Sequence, residues 1–179
     1  IARIIDTDFV STGTYISNFA PLDGYAFYAT DDGYINNSDL NTVTSYAALG
    51  RRAVQQYPDP SVAVATQANA MVVFGLNSKE VFQNSGLQTG SPLTPVPQFT
   101  QRIGVLDQRS VTQIEDDIYF VASPSEGDLG VYRMRGFAAV PVSTPTVNRI
   151  LGTAAVGGAI YASSFKMGGY SYAAFCVSL

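Results

Sequence analysis

Fourteen acidic residues and not one histidine limit the chemistry open to this 179-residue chain. Without imidazole the commonest general base and metal ligand is missing, so Ser-His-Asp, Cys-His and His-based zinc arrangements are not available within it. Carboxylates alone suffice for glycoside hydrolysis, which needs a pair flanking the scissile bond. The candidates are Asp31 with Asp32, Asp39, the run Glu115-Asp116-Asp117, and Glu126 with Asp128. Each falls where a turn is expected, and Asp is favoured in turns because its side chain bonds nearby backbone amides. Ca²⁺ at Asp31-Asp32 or Asp116-Asp117 would be another use of clustered loop oxygens, but neither has EF-hand spacing. Turn chemistry is the simpler account, and no catalytic residue, metal or cofactor is assigned.

The remaining reactive or stacking groups have equally plain readings. Cys176 is alone, which excludes an intramolecular disulfide, and its apolar run over residues 172–179 predicts a buried, inert thiol. Gly157-Gly158 and Gly168-Gly169 match neither a P-loop nor a dinucleotide fingerprint and read as turns. Tyr25, Tyr28, Tyr34, Tyr132, Tyr161, Tyr170 and Tyr172 could form a stacking platform for sugars or bases. Filling the space between sheets is the simpler role for tyrosines on strands.

Net charge of −4 argues against general or sequence-specific nucleic-acid binding, which needs a basic surface. Arg102, Arg109, Arg133, Arg135 and Arg149 fall in the second half, either as a local patch or as solvated single charges. Charged residues make up 13%, about half the usual fraction. That suits a subunit packed against other subunits, and equally a β-rich chain of no special association. No run approaches the roughly eighteen apolar residues of a membrane span. The chain opens at Ile1 and ends within an expected strand, and it is read as an internal part of a longer polypeptide.

Short strands separated by turn signals run through the whole chain. The clearest set comprises residues 110–115, 118–122, 129–134 and 137–142, rich in Val, Ile, Tyr and Phe and bounded by Asp, Ser, Gly or Pro. Four antiparallel strands in about 33 residues is the size of one β-propeller blade. A hairpin is expected over 24–37, with Gly33 supplying positive φ, and a further strand near 44–49 that is favoured over a helix across 43–56. Tyr57-Pro58-Asp59-Pro60 punctuates the chain. Strands at 61–67, 70–76 and 78–83 follow, then a loop over 84–100, and later strands at 152–156, 159–165 and 170–178. Turns near 32, 69, 116 and 168 recur at propeller spacing. The expected class is all-β, with consecutive four-stranded antiparallel blades at about 12–56, 61–105 and 110–145 and an incomplete one at 152–179, part of a larger propeller.

Three segments taken in order carry a resemblance. They are DGYAFYATDDGYINNSDLN (23–41), VVFGLNSKEVFQNSG (72–86) and RSVTQIEDDIYFVASPSEGDLGVYRMRGFAAVPVSTP (109–145). The matching positions are Ser-Asp-Leu-Asn at 38–41, Phe74-Gly75 with Glu80, Asn84-Ser85-Gly86, Ser110-Val111, Val131-Tyr132-Arg133-Met134, Gly136 and Ser143-Thr144. Together they resemble the packaged-DNA stabilisation proteins of short-tailed bacteriophages, propeller-like tail-hub subunits. Family members are substantially longer and often carry Trp where Phe82 and Tyr46 stand here.

The resemblance implies a non-enzymatic virion protein, made in the host bacterial cytoplasm, that seals the portal and retains packaged DNA. Its implied partners are the portal-adaptor ring, tail needle and tailspike, within a homo-oligomeric ring and with no membrane. Docking would fall to the loop bearing Asn84, Gln88, Pro92, Pro95 and Pro97, and to the tip bearing Ser123, Glu126 and Asp128. A carbohydrate-binding or carbohydrate-cleaving propeller is the alternative function, and a generic protein-interaction scaffold the second.

Overall fold

Four two-residue turns, each with positive φ at both central residues, reverse the chain at Asp23-Gly24, Ala68-Asn69, Gly136-Phe137 and Gly168-Gly169. That conformation matches the right-handed twist of the flanking strands, so each turn sets a hairpin register. The computed structural model describes residues 4–9, 17–57, 59–87, 89–124, 129–154 and 159–178. The first sheet orders β1 (Ala20–Leu22), β2 (Tyr25–Thr30), β3 (Tyr34–Asp39) and β4 (Thr42–Ala53) as consecutive antiparallel neighbours. The second repeats the pattern with β5 (Ser61–Gln67), β6 (Ala70–Gly75), β7 (Lys79–Asn84) and β8 (Leu93–Pro95). In the third, β9 (Ile103–Val105) pairs the far end of β11 (Asp117–Pro124). There β10 (Val111–Ile114), β11, β12 (Gly130–Arg135) and β13 (Ala138–Pro141) form the antiparallel series. After α1 (Pro145–Ala154), β14 (Ile160–Met167) and β15 (Tyr170–Val177) pair as a two-stranded sheet.

The sheets stack in chain order. Along β6, Met71 and Val73 pack toward the first sheet with Phe27, Ala29 and Ile35. Ala70, Val72 and Phe74 pack the other way, with Ile118, Phe120 and Met134 of the third. The period of two along a strand thus divides one unbroken apolar run between two cores. Val121 and Val131, on the far face of the third sheet, meet Leu151 of α1 and Ile160 of β14. Gly104 lies so close to the second sheet that a Cβ there would overlap the Leu76 carbonyl.

Several expectations change. The turns joining first to second strand in the three larger sheets lie at Asp23-Gly24, Ala68-Asn69 and Glu115-Asp116, whereas the turn near 32 joins second to third. Ile103–Val105 belongs to the third sheet rather than to a second unit ending at 105. A strand at 152–156 is overturned for residues 152–154, which close α1; residues 155–156 lie outside the described residues. Thr144 precedes Pro145 at the first helical position, with its Oγ1 3.5 Å from the Val147 amide, a start signal that the β-branched content obscured.

Candidate functional site

The segment 84–100, expected as one loop, divides at Pro92. Ser85 closes its base, the amide and hydroxyl both donating to the Pro92 carbonyl at 2.8 and 2.9 Å. Beyond that point Pro92 is buried, Leu93 is fully buried and Pro95 sits opposite Phe82 on β8, the edge of the second sheet. An edge strand tolerates proline because the missing amide faces away from the ladder. Pro97 opens a 3-10 turn, Pro97–Phe99. Pro95 therefore ends the edge strand, with Pro92 just before it and Pro97 just after it, and the described residues of the exposed crest are 86, 87, 89 and 90. Asn84 anchors it: its Oδ1 accepts from the Gly86 amide at 2.9 Å and its Nδ2 donates to Asp23 Oδ2 at 2.9 Å. Gln88, Glu126 and Asp128 lie outside the described residues, as does the side chain of Ser123.

The crest overhangs β4. A Cβ on Gly90 would lie 3.5 Å from the Leu49 carbonyl oxygen. Between crest and first sheet lies a cavity of about 620 Å³, lined by Asn37, Leu40, Leu49 and Leu87 among others. It exists because β4 bulges: Asn36 pairs Arg51 and Ser38 pairs Tyr46, so Ala47–Gly50 stand opposite Asn37 alone.

Lys79 and Glu80 open β7 and are both buried, which the sequence reading did not anticipate. They project to opposite faces, as the strand period requires. The Lys79 ammonium donates to the carbonyls of Phe99 at 2.8 Å and Phe137 at 2.6 Å, tying the second sheet to the third. Burial lowers its pKa to about 8. Glu80 Oε1 accepts from the amides of Gln56 at 2.9 Å and Tyr57 at 3.2 Å, in the link between first and second sheets. Burial raises its pKa, against the pull of those amides. Asp59 clamps the next turn, accepting from the amides of Asn77 and Ser78 at 2.7 and 2.9 Å. A Lys-Glu pair wedged between Phe74 and Val81 was the available signal.

Four of the carboxylates weighed for chemistry are engaged separately. Asp32 accepts from Thr30 Oγ1, Asp39 from Ser45 Oγ, and Asp117 pairs with Arg133. Glu115 lies 3.6 Å from Lys166 Nζ. Asp39 closes β3 and Asp117 opens β11, so these two are strand ends rather than turn residues. Among the described residues no group of three or more His, Cys, Asp or Glu could hold a metal ion. The arginines are dispersed: Arg102 lies over Tyr57, Arg109 over Tyr161, and Arg133 over Tyr119. Tyr28 is buried under Phe9, Phe19 and Tyr46, whereas Tyr161, Tyr170 and Tyr172 are exposed on one face of β14–β15. Cys176 shares that face and is exposed, correcting the buried thiol: the apolar run has sheet packing on one side only.

The family model for phage stabilisation proteins, described as bacteriophage P22 Gp10, β-propeller, matches residues 10–160. The chain belongs to that family. The phage propeller match takes in all three four-stranded series and α1 and reaches the first residue of β14. It agrees with the resemblance carried by the ordered segments, and it makes this a structural phage protein with a place in the virion. No curated protein matches the chain. No described helix of the phage propeller is long and apolar enough to cross a membrane.

Proposed function

We propose that this phage propeller is a tail-hub, head-completion component that seals the portal, retains packaged DNA and docks tail parts. The observation that carries the reading is the family match across the stacked sheets. Made in the host cytoplasm, it works without catalysis, as one subunit of a ring that contacts the portal adaptor, tail needle and tailspike. Two features of the chain fit that role. Asp32, Asp39, Glu115 and Asp117 are each engaged by a neighbouring side chain, and the crest starts from a base fixed by Ser85 and Asn84. A crest already held in shape loses little freedom on binding.

The test replaces residues 86–90 with a Gly-Ser linker of equal length in the intact phage, leaving β8 untouched. The expected result is a folded subunit, particles that leak DNA or lack tail components, and a sharp fall in infectious titre. Full titre with normal tail composition would contradict the docking assignment.

A further inference from the structure

Two sheet faces bound the described stack, and both are aromatic. On the β14–β15 hairpin, the face turned away from the third sheet carries Tyr161, Phe165, Met167, Tyr170, Tyr172 and Cys176, all exposed. No charged residue of the hairpin stands on it, because Lys166 belongs to the opposite face, beside Glu115. Arg109 lies over Tyr161, at the end away from the turn. Phe165 and Tyr172 stack with ring centroids 5.3 Å apart. A contiguous exposed apolar face of this kind marks an interaction site. At the other end, the first-sheet face turned away from the second sheet carries Tyr28 and Tyr46, with Phe19 beside them. Its cover is a short strap, residues 4–9. The Phe9 ring centroid lies 5.2 Å from that of Tyr28 and 5.0 Å from that of Tyr46. Asp6 moors the strap, its Oδ2 accepting from the Tyr46 amide at 3.1 Å and its Oδ1 from the Asp8 amide at 2.9 Å. This face is thus built to receive an aromatic ring, and Phe19 still stands 47% exposed at its edge.

We infer that the hairpin face of one copy of this chain packs on the first-sheet face of a second copy, taking the place of Phe9. The chain's own packing argues for that occupant. At each junction within it, apolar side chains of one sheet meet the apolar face of the next: first on second, second on third, third on hairpin. Hairpin on first sheet continues the same stacking between copies. The side chains that would meet are aromatic on both sides, and aromatic pairs gain from offset or tilted contact beyond the area they bury. The contact is heterologous, head to tail, the kind that closes into a ring when the rotation allows. The inference rests on the ring reading above and names the two surfaces that meet.

The experiment follows the purified chain by sedimentation velocity across a range of concentrations. Association should grow with concentration. Phe165→Asp on the hairpin face and Phe19→Asp on the receiving face should each abolish it, since a carboxylate buried in an apolar contact is costly. Both positions are half exposed, so each variant keeps its fold. Mixed together, the two variants should recover association as one-to-one pairs and nothing larger, because each supplies the face that the other lacks. Asp6→Ala should strengthen association about tenfold, the value of one hydrogen bond to a charged acceptor, because the strap competes for the seat. A monomer at every concentration, association indifferent to Phe165→Asp, mixed variants that stay monomeric, or no gain from Asp6→Ala would each overturn the inference. So would a Cys176–Cys176 disulfide that forms under oxidant in the associated fraction, which would put hairpin against hairpin. The measurement needs no phage, so its failure leaves the crest-swap phenotype standing, and the reverse also holds.

Discussion

The second sheet and the β14–β15 hairpin are both apolar, yet they live in different surroundings. Every residue of β6 is buried, because the first sheet covers one face and the third covers the other. In β14–β15, Ile160, Phe175 and Val177 meet the third sheet and α1, while Tyr161, Phe165, Met167, Tyr170 and Tyr172 on the opposite face remain exposed. Burial on both faces erases alternation, so β6 reads as a continuous run, Ala-Met-Val-Val-Phe-Gly. The hairpin shows that an apolar sequence alone does not say which face is covered.

Truncation should separate the two regions most strongly. Phe74 is fully buried with its ring centroid 4.9 Å from that of Phe120, so Phe74→Ala should cost about 3–5 kcal/mol in denaturant unfolding. Phe165, stacked on Tyr172 but half exposed, should cost under about 1 kcal/mol on the same change. Equal losses would mean that the hairpin face is covered in solution. Gly104→Ala comes next, at about 1–3 kcal/mol, because the new methyl meets backbone at Leu76 rather than a side chain that can swing aside.

Lys79 sharpens the contrast through pH. Its folded pKa, lowered from 10.5 to about 8, lies below that of the unfolded chain. Between those values the unfolded state holds more protons, so stability should rise with pH from about 8 to 10.5 and be level below 8. Measuring unfolding at several pH values in wild type and Lys79→Met should show a rise in the first that the second lacks. Parallel curves would remove Lys79 from the account. A small effect of opposite sign is expected at Ala68, whose φ of +44° is costly for a residue with a Cβ; Ala68→Gly should stabilise by roughly 1 kcal/mol. A loss of stability there would show that the turn is not strained.

Turn chemistry was the most legible layer of the sequence. Gly33 and the Gly168-Gly169 pair take positive φ where their spacing implied it, and the long strand Thr42–Ala53 forms where strand was preferred to helix. What escaped was set by distant neighbours. Lys79 and Glu80 look like surface residues until Phe99, Phe137 and Gln56 close over them. Pro95 read as loop punctuation because an edge strand tolerates it and local sequence does not reveal an edge; Pro92 and Pro97 do lie outside the strand, on either side of it. Of the loop expected over 84–100, the part before Pro92 is loop and the part after it runs into β8. The β4 bulge was invisible, since nothing local in the sequence says that four residues will stand opposite Asn37.

The most direct test of the crest as the docking side is hydrogen exchange on the chain free and within assembled virions. Amides over 47–50 and 86–90 should exchange readily in the free chain and slow at least about tenfold on assembly, a factor equivalent to 1.4 kcal/mol. Those of β6 should stay slow in both. Unchanged exchange at the crest and the β4 bulge, with new protection confined to other surfaces, would contradict the account.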